Sequence, residues 1–201
     1  MRRARIAVLV SGGGTNLQAL IDAERAGAIP HGEIVLVVSS KPGVYALERA
    51  AAAGIPSRVV SRRESASQEA FEDGLLAALR EAGADLVVLA GFLSILGPRV
   101  IAAYPDRIIN VHPSLIPSFC GAGFYGLRVH EAALSYGVKV TGATVHLVNE
   151  IPDGGRILMQ RAVDILPGDT PETLQRRVME EAEWKLLPAA CELMAKELTK
   201  E

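Results

Sequence analysis

Two polar side chains interrupt an apolar segment that otherwise has the composition of a buried strand. The segment is "RIINVH" (107–112), and Pro113 follows it directly. Alternate residues of a strand share a face, so Asn110 and His112 are expected to point the same way. An amide can donate to an oxyanion, and an imidazole exchanges a proton near neutral pH. The same spacing is compatible with two polar side chains that loop backbone satisfies.

A glycine-rich loop is the second candidate for chemistry. The stretch "SGGGTN" (11–16) lies between a predicted strand and a predicted helix. Glycines let backbone amides face a ligand, and the next helix begins with its positive dipole end there. The stretch lacks the lysine of a Walker loop and the third glycine of the dinucleotide fingerprint. Ser11, Thr15 and Asn16 add side-chain donors, so the stretch favours a phosphate site, with a plain capped turn as the alternative.

A carboxylate in the later turn "PDGG" is the third candidate. By itself, Asp153 has the position of an ordinary hairpin-turn residue. If it folds back on His112, it favours the imidazolium and fixes the orientation of the ring. His146 is interpreted as structural or as a support of the site, and His31 and His130 as surface or loop residues.

The elements that must position these residues alternate between strand and helix. Short apolar runs predict strands at 5–11, 32–40, 57–60, 85–92 and 107–112. Apolar residues at helical spacing predict helices at 15–27, 44–54 and 67–83. Segments 140–148 and 157–165 predict an antiparallel strand pair at one edge. Residues 170–198 predict a C-terminal helix that Pro188 interrupts.

This pattern predicts an α/β fold. Continuous apolar strands between helices indicate a mostly parallel sheet flanked by helices on both faces. We expect a single Rossmann-like domain over residues 1–201, with an antiparallel C-terminal edge and a C-terminal helix. In such sheets ligands bind beyond the carboxyl ends of the strands. "SGGGTN", "AGFLSIL" and "NVHPS" each follow a strand, so they are expected in one neighbourhood.

Composition excludes several classes of function. The 201 residues carry a net charge of −2 and a pI of about 6.1, which gives no reason to expect nucleic acid. Cys120 and Cys191 form no CxxC pair, so a zinc site or disulfide framework is not expected, and a reducing cytoplasm is. Nothing singles out Cys120 as a nucleophile. The first apolar run, Ile6–Val10, is interpreted as a strand rather than a targeting segment, and no membrane partner is expected.

Five segments, in this order, resemble phosphoribosylglycinamide formyltransferases. They are "SGGGTNLQALIDA", "LAGFLSIL", "INVHPSLIPSF", "TGATVHLV" and "PDGG", and the resemblance covers essentially the whole chain. It implies transfer of the formyl group of 10-formyltetrahydrofolate, as co-substrate, to 5′-phosphoribosylglycinamide in purine biosynthesis, without a metal. Hydrolysis of 10-formyltetrahydrofolate is the alternative enzymatic interpretation. A phosphate-binding regulatory module that uses the glycine loop alone is the non-enzymatic one.

The resemblance also implies roles for individual residues. The catalytic group falls on Asn110, His112 and Asp153. The ribonucleotide contacts fall on Gly14, Thr15, Asn16 and Glu183, although a different count places the glutamate position at Ala182. The folate contacts fall on Leu93, Ser94, Ile95, Leu96, Asn110, Asn149, Glu150 and Asp153. The ribonucleotide-binding half is expected at about 1–95 and the catalytic and folate-binding half at about 96–201, in a monomer or homodimer.

The implied mechanism is direct attack of the substrate amine on the formyl carbon. Asn110 and a charged His112 are expected to stabilise the tetrahedral oxyanion, while Asp153 keeps the imidazole charged and oriented. The chain departs from the family pattern at three places. The loop at 117–132 is longer than in many members, and Gln68 and Ser94 stand where many members carry arginine.

Overall fold

The centre of the fold is a seven-stranded sheet. The structure is a computed structural model that describes residues 2–200. The strands are β1 (Ala4–Val10), β2 (Gly32–Ser39), β3 (Ser57–Val59), β4 (Leu86–Leu89), β5 (Ile108–His112), β6 (Val140–Leu147) and β7 (Ile157–Asp164). They lie in the order β3-β2-β1-β4-β5-β6-β7. The first five are parallel to one another, and β6 and β7 are antiparallel to their neighbours.

Helices cover both faces of this sheet. They are α1 (Thr15–Arg25), α2 (Tyr45–Ala52), α3 (Gln68–Glu81), α4 (Pro98–Ala103), α5 (Leu127–Tyr136), α6 (Pro171–Val178) and α7 (Trp184–Leu198). One turn of π-helix, Met179–Glu183, joins α6 to α7. The predicted fold class, a mostly parallel sheet with an antiparallel edge and a C-terminal helix, is confirmed. In the part of the chain that the structure describes, no helix is both long and apolar enough to cross a membrane.

Two hydrophobic clusters, one on each face of the sheet, fix the central strands. Ile109 of β5 packs into the cluster that α1 and α7 cover, together with Leu17 and Leu187. Ile108 packs into the other cluster, against α3 and α4. Both isoleucines are buried, and burial of each such side chain contributes about 1.5–3 kcal/mol. The strand that presents the candidate catalytic residues is therefore held from both sides.

Two helices and one strand pairing were missed by the sequence predictions. Helix α4 was not predicted, and α5 begins at Leu127, inside the segment treated as a loop. The assignment of His130 to a surface or loop was wrong, because this residue lies in α5 and is fully buried. Strand β6 pairs with β5 as well as with β7, which a local pattern cannot reveal because pairing depends on long-range contacts.

The C-terminal helix breaks at a different place from the one predicted. Pro188 lies inside α7 without ending it, and the irregularity is the π-turn upstream. A proline inside a helix costs about 3 kcal/mol through a lost hydrogen bond and a clash with a carbonyl. Leu187, Pro188 and Cys191 are all buried in this helix. Burial of such side chains, at about 1.5–3 kcal/mol each, offsets that cost.

Candidate active site

Three segments at the ends of neighbouring strands or directly after them meet at the carboxyl edge of the sheet. β1 pairs with β4, and β4 pairs with β5 through Leu89 and Asn110. The segments 12–16, 90–93 and 110–113 consequently line one cavity. This is the point where the order of strands reverses direction around β1, the usual ligand position in open α/β sheets.

The larger of two adjoining cavities is mostly apolar. Its volume is about 530 Å³. Aliphatic and aromatic side chains, with one alanine and one proline among them, form most of its wall, which suits a flat aromatic ligand. All eight residues predicted to contact folate lie on this wall, namely Leu93, Ser94, Ile95, Leu96, Asn110, Asn149, Glu150 and Asp153. Their contact with folate stays a prediction.

The smaller cavity, of about 310 Å³, is more polar. The residues predicted to contact the ribonucleotide all line it, namely Gly14, Thr15, Asn16 and Glu183. His112 lines it as well, whereas Asn110 and Asp153 line both cavities. The three residues predicted to be catalytic are therefore brought together where the two cavities join.

Both ring nitrogens of His112 face acceptors. Nε2 donates to the carbonyl oxygen of Phe119 at 2.9 Å, and Nδ1 lies 3.4 Å from Oδ2 of Asp153. Burial lowers the pKa of His112, and the Phe119 carbonyl and Asp153 oppose this shift only in part. This direction favours a neutral resting ring over the charged one expected from the sequence, because desolvation of the buried ring opposes the charged form.

Asp153 connects the other polar groups of the site. Oδ2 accepts from the backbone N–H of Gly121 at 2.8 Å, while Oδ1 lies 3.5 Å from both Asn110 Nδ2 and His146 Nε2. Burial by itself raises the pKa of Asp153. The contacts with His146, Gly121 and His112 outweigh burial and bring the pKa of Asp153 below its ordinary value. Asp153 is therefore a carboxylate at neutral pH.

His146 takes a place in the site that the sequence did not specify. Its Nδ1 donates to the carbonyl of Leu147 at 2.8 Å. Nε2 faces both Asn110 Nδ2 at 3.1 Å and Asp153 Oδ1 at 3.5 Å. The ring thus orients the amide of Asn110. This contact results from the pairing of β5 with β6, which sets Asn110 directly opposite His146. A sequence prediction of that pairing would have been needed to find it.

The three glycines of the loop after β1 differ in what they do. A Cβ at Gly14, where φ is 71°, would lie 2.7 Å from Ala46 Cβ, so this glycine permits α2 to approach. Gly12 and Gly13 have open space and leave backbone facing the cavity. Arg49 was not predicted at this loop, and its Nε donates to the Gly13 carbonyl at 2.8 Å. This arginine places a positive charge beside the loop.

The π-turn points a carboxyl group into the smaller cavity. Glu183 is 6% exposed, and its Oε2 accepts from Asn16 Nδ2 at 2.7 Å. Burial raises the pKa of Glu183, and the bond from Asn16 opposes this. Asn16 Oδ1 is buried and has no hydrogen-bond partner among the described residues. Ala182 is buried in the apolar cluster, so the count that placed the glutamate position there does not agree with the geometry.

Gln68 and Ser94, which stand where many family members carry arginine, lie in different surroundings. Ser94 lines the larger cavity, whereas Gln68 lines neither one and accepts from Arg62 Nε at 2.7 Å. Among residues 2–200, no group of three or more His, Cys, Asp or Glu side chains is arranged to hold a metal ion. The absence of a metal from the reaction stays a prediction.

Comparisons with known proteins agree with this architecture. The pattern of the formyl transferase family matches residues 4–191. A glycinamide ribonucleotide transformylase from Symbiobacterium toebii has a TM-score of 0.91 at 42% identity, over 97% of this chain and 89% of that one. A phosphoribosylglycinamide formyltransferase from Brucella melitensis has a TM-score of 0.88 at 46% identity, over 96% of both chains.

Relatives known from sequence are longer than this chain. A trifunctional purine biosynthetic protein of Drosophila melanogaster is 46% identical over 91% of this chain, which spans 13% of that protein. A chloroplastic phosphoribosylglycinamide formyltransferase of Arabidopsis thaliana is 40% identical over 90% of this chain, which spans 62% of that protein. The chain belongs to the formyl transferase family and, within it, to the phosphoribosylglycinamide formyltransferases.

Proposed function

We propose that this protein transfers the formyl group of 10-formyltetrahydrofolate to the amine of 5′-phosphoribosylglycinamide. The observation that carries the proposal is the position of Asn110, His112 and Asp153. They lie where an apolar cavity joins a polar one, as a reaction between a folate and a ribonucleotide requires. Membership of the formyl transferase family supports the same reaction.

Each substrate has a cavity of matching chemistry. The folate ring system fits the larger cavity, between Leu93–Leu96 and Asn149–Asp153. The phosphate of the ribonucleotide fits the smaller one, at the glycine loop and the N-terminus of α1, where backbone N–H groups and the helix dipole favour an anion. Its amine then lies toward the Asn16–Glu183 pair, whose unpartnered Asn16 oxygen is free to accept from it.

The reaction proceeds by direct attack of the amine nitrogen on the formyl carbon. Neutral His112 accepts the proton that the amine loses, at Nδ1, and the resulting imidazolium pairs with Asp153. Asn110 donates from Nδ2 to the oxygen of the tetrahedral intermediate. One such donor is typically worth roughly 3–4 kcal/mol. The bond from carbon to the folate nitrogen then breaks, and the imidazolium returns its proton to that nitrogen.

A spectrophotometric assay with both substrates tests this function. We expect tetrahydrofolate formation that requires 5′-phosphoribosylglycinamide and yields its formylated product. Equal turnover of 10-formyltetrahydrofolate without the ribonucleotide would identify a hydrolase instead. Ligand-induced thermal stabilisation without any turnover would point to a phosphate-binding module.

Replacement of His112 tests the assignment of the base. His112→Ala is expected to lower kcat by about 100-fold or more, because general base catalysis typically contributes 10²–10⁴-fold. The KM values are expected to change by less than about threefold, since the proton transfer occurs after binding. His31→Ala is the matched control, because His31 lies in neither cavity and pairs with Glu192 on α7. Full activity of His112→Ala in steady-state kinetics contradicts the mechanism.

The setting of the reaction is proposed from composition alone. The net charge of −2 and the two cysteines fit a reducing cytoplasm without nucleic-acid or membrane partners. The assembly is expected to be a monomer or homodimer. Size-exclusion chromatography with light scattering distinguishes the two assemblies.

A further inference from the structure

The lengthened loop after β5 contacts the proposed catalytic pair through its backbone. The carbonyl of Phe119 accepts from His112 Nε2 at 2.9 Å, and the N–H of Gly121 donates to Asp153 Oδ2 at 2.8 Å. The two loop groups are separated by a single residue, so one short segment touches both members of the pair. The residue types of this segment do not predict its contacts with His112 and Asp153, because the segment makes both contacts with backbone atoms.

Backbone strain is concentrated at the same contact. Phe119 has φ 49° and Asp153 has φ 56°, values in the left-handed region that side chains seldom adopt. Such residues persist where their surroundings over-determine them, often at functional sites. Phe119 is held by edge-to-face contacts with Phe124 and Tyr136, at centroid distances of 6.4 and 6.0 Å.

The start of the loop is anchored separately from these contacts. Ser114 Oγ donates to the carbonyl of Ser118 at 2.6 Å, and the N–H of Ile116 donates to Thr144 Oγ1 on β6 at 3.1 Å. The loop therefore approaches the site from a fixed origin on the sheet. Because the start of the loop is fixed, the backbone conformation of the residues that follow determines the direction of the Phe119 carbonyl.

We propose that Phe119–Gly121 positions the catalytic pair of this protein. The Phe119 carbonyl selects the His112 tautomer that carries hydrogen on Nε2, which leaves Nδ1 to exchange the proton with the substrates. The Gly121 N–H holds Asp153 Oδ2 beside that nitrogen. This inference rests on the proposed function, since His112 and Asp153 are the proposed catalytic groups. Phe119 and Gly121 act through them and touch no reacting atom.

Two glycines of this loop provide a matched test. Gly121 and Gly123 have φ of 87° and 91°, both line the larger cavity, and a Cβ at either one meets open space. Alanine at either position thus strains the loop equally, but only Gly121 bonds to Asp153. We expect kcat of Gly121→Ala to be at least about tenfold below that of Gly123→Ala, because small misplacements of reacting groups cost up to 10²-fold. KM values are expected to be similar in the two variants.

Nitrogen NMR of His112 gives a readout that does not depend on activity. The His112 signals are assigned by their loss in His112→Ala. In the wild-type protein above the titration range, we expect a protonated Nε2 and an unprotonated Nδ1. Phe119→Ala, which loses the contacts to Phe124 and Tyr136, is expected to give a mixture of tautomers, and Phe119→Tyr to restore the single form.

Two results overturn the inference. One is equal kcat in the two glycine variants, with both proteins folded by thermal unfolding. The other is a His112 ring in the wild type that carries its hydrogen on Nδ1. This measurement needs no glycine variant, so it tests the inference even if Gly121→Ala does not fold. A wild-type protein without formyl transfer activity refutes the proposed function instead, and leaves the tautomer measurement to judge the positioning contact.

Discussion

At the residue scale, the environment of His112 decides which chemistry is open to it. The ring is 4% exposed, and burial lowers its pKa below the ordinary value. A lowered pKa for a base means that the neutral, proton-accepting form persists to more acidic pH. Asp153 is then needed mainly once the ring has accepted a proton, when a carboxylate 3.4 Å away stabilises the cation.

The pH dependence of kcat tests this environment. With both substrates saturating, the acidic limb attributable to His112 is expected below about pH 6.5, the ordinary histidine value. In Asp153→Asn the limb is expected at still lower pH, because the carboxylate that raises the pKa of His112 is gone. The maximum kcat also falls. Measurement of kcat from pH 4 to 9 in both proteins is sufficient, and a wild-type limb above the ordinary histidine value contradicts the assignment.

Residue types and spacing predicted part of this site. The alternation of Asn110 and His112 required them to share a face, and both line the smaller cavity. The position of Asp153 beside His112 was only a hypothesis from the sequence, because the two residues are far apart along the chain. The contacts of His146 and of the Phe119 backbone were not predictable, since they depend on strand pairing and loop conformation.

At the element scale, the π-turn between α6 and α7 is the irregularity closest to the site. Single π-turns within helices are rare and often occur at functional sites. This one contains Met179 and Glu183, which both line the smaller cavity, while Ala182 packs into the apolar cluster. The wide turn therefore lets consecutive residues face the core and the cavity.

Two glutamates of the π-turn form a matched pair for substrate binding. Glu183→Gln is expected to raise the KM for 5′-phosphoribosylglycinamide by about tenfold or more, because bonds to a charged group are worth about 1.5–3 kcal/mol. The KM for formyl-folate is expected to stay within about twofold, since Glu183 does not line the larger cavity. Glu180→Gln is the control, because Glu180 is exposed and pairs with Arg176. Equal KM values in the two variants would refute the role of Glu183.

Alanine substitutions at the glycines on either side of α1 distinguish the cost of backbone strain from the cost of a steric clash. Gly14→Ala is expected to destabilise by about 1–2 kcal/mol from left-handed strain and about 1–3 more from overpacking, because its Cβ meets Ala46. Gly27→Ala, with a similar φ of 74° and open space, carries the strain alone. Chemical denaturation gives both free energies of unfolding. If the two variants are equally stable, α2 does not pack closely on the glycine loop.

At the scale of the whole molecule, strand order creates the site. Strand β1 is far from β4 and β5 along the chain, yet it lies beside β4 in the sheet. Their loops meet at one edge, and the antiparallel β6 brings His146 and the turn with Asp153 back to the same edge. The site thus draws on both proposed halves, and the division near residue 95 stays a prediction.

Acid stability is a property of the whole chain with one identifiable contributor. The pKa of Asp169 lies well below its ordinary value because Arg177 donates two hydrogen bonds to it. A depressed carboxyl pKa contributes stability that is present above the unfolded value and is lost as pH falls through the folded one. Asp169→Asn is therefore expected to be less stable at neutral pH and to lose less stability between about pH 4 and pH 2.

Urea denaturation at several pH values checks this expectation. Asp106→Asn is a suitable control, because the Asp106 side chain makes no hydrogen bond or ion pair within residues 2–200, and asparagine tolerates its φ of 54°. A loss of stability in Asp169→Asn that is the same at every pH would show that the ion pair with Arg177 has no net effect.

The sequence by itself determined the strands, most helices and the chemistry available in "SGGGTN" and "NVHPS". Those features depend on local periodicity and residue type, which a single chain displays directly. Tertiary structure alone decided that β5 pairs with β6, that a helix runs through Pro188, and that burial lowers the pKa of His112. Each of these features depends on burial and on residues distant along the chain. The free energy of such contacts cannot be read from the residue types and spacing of a local segment.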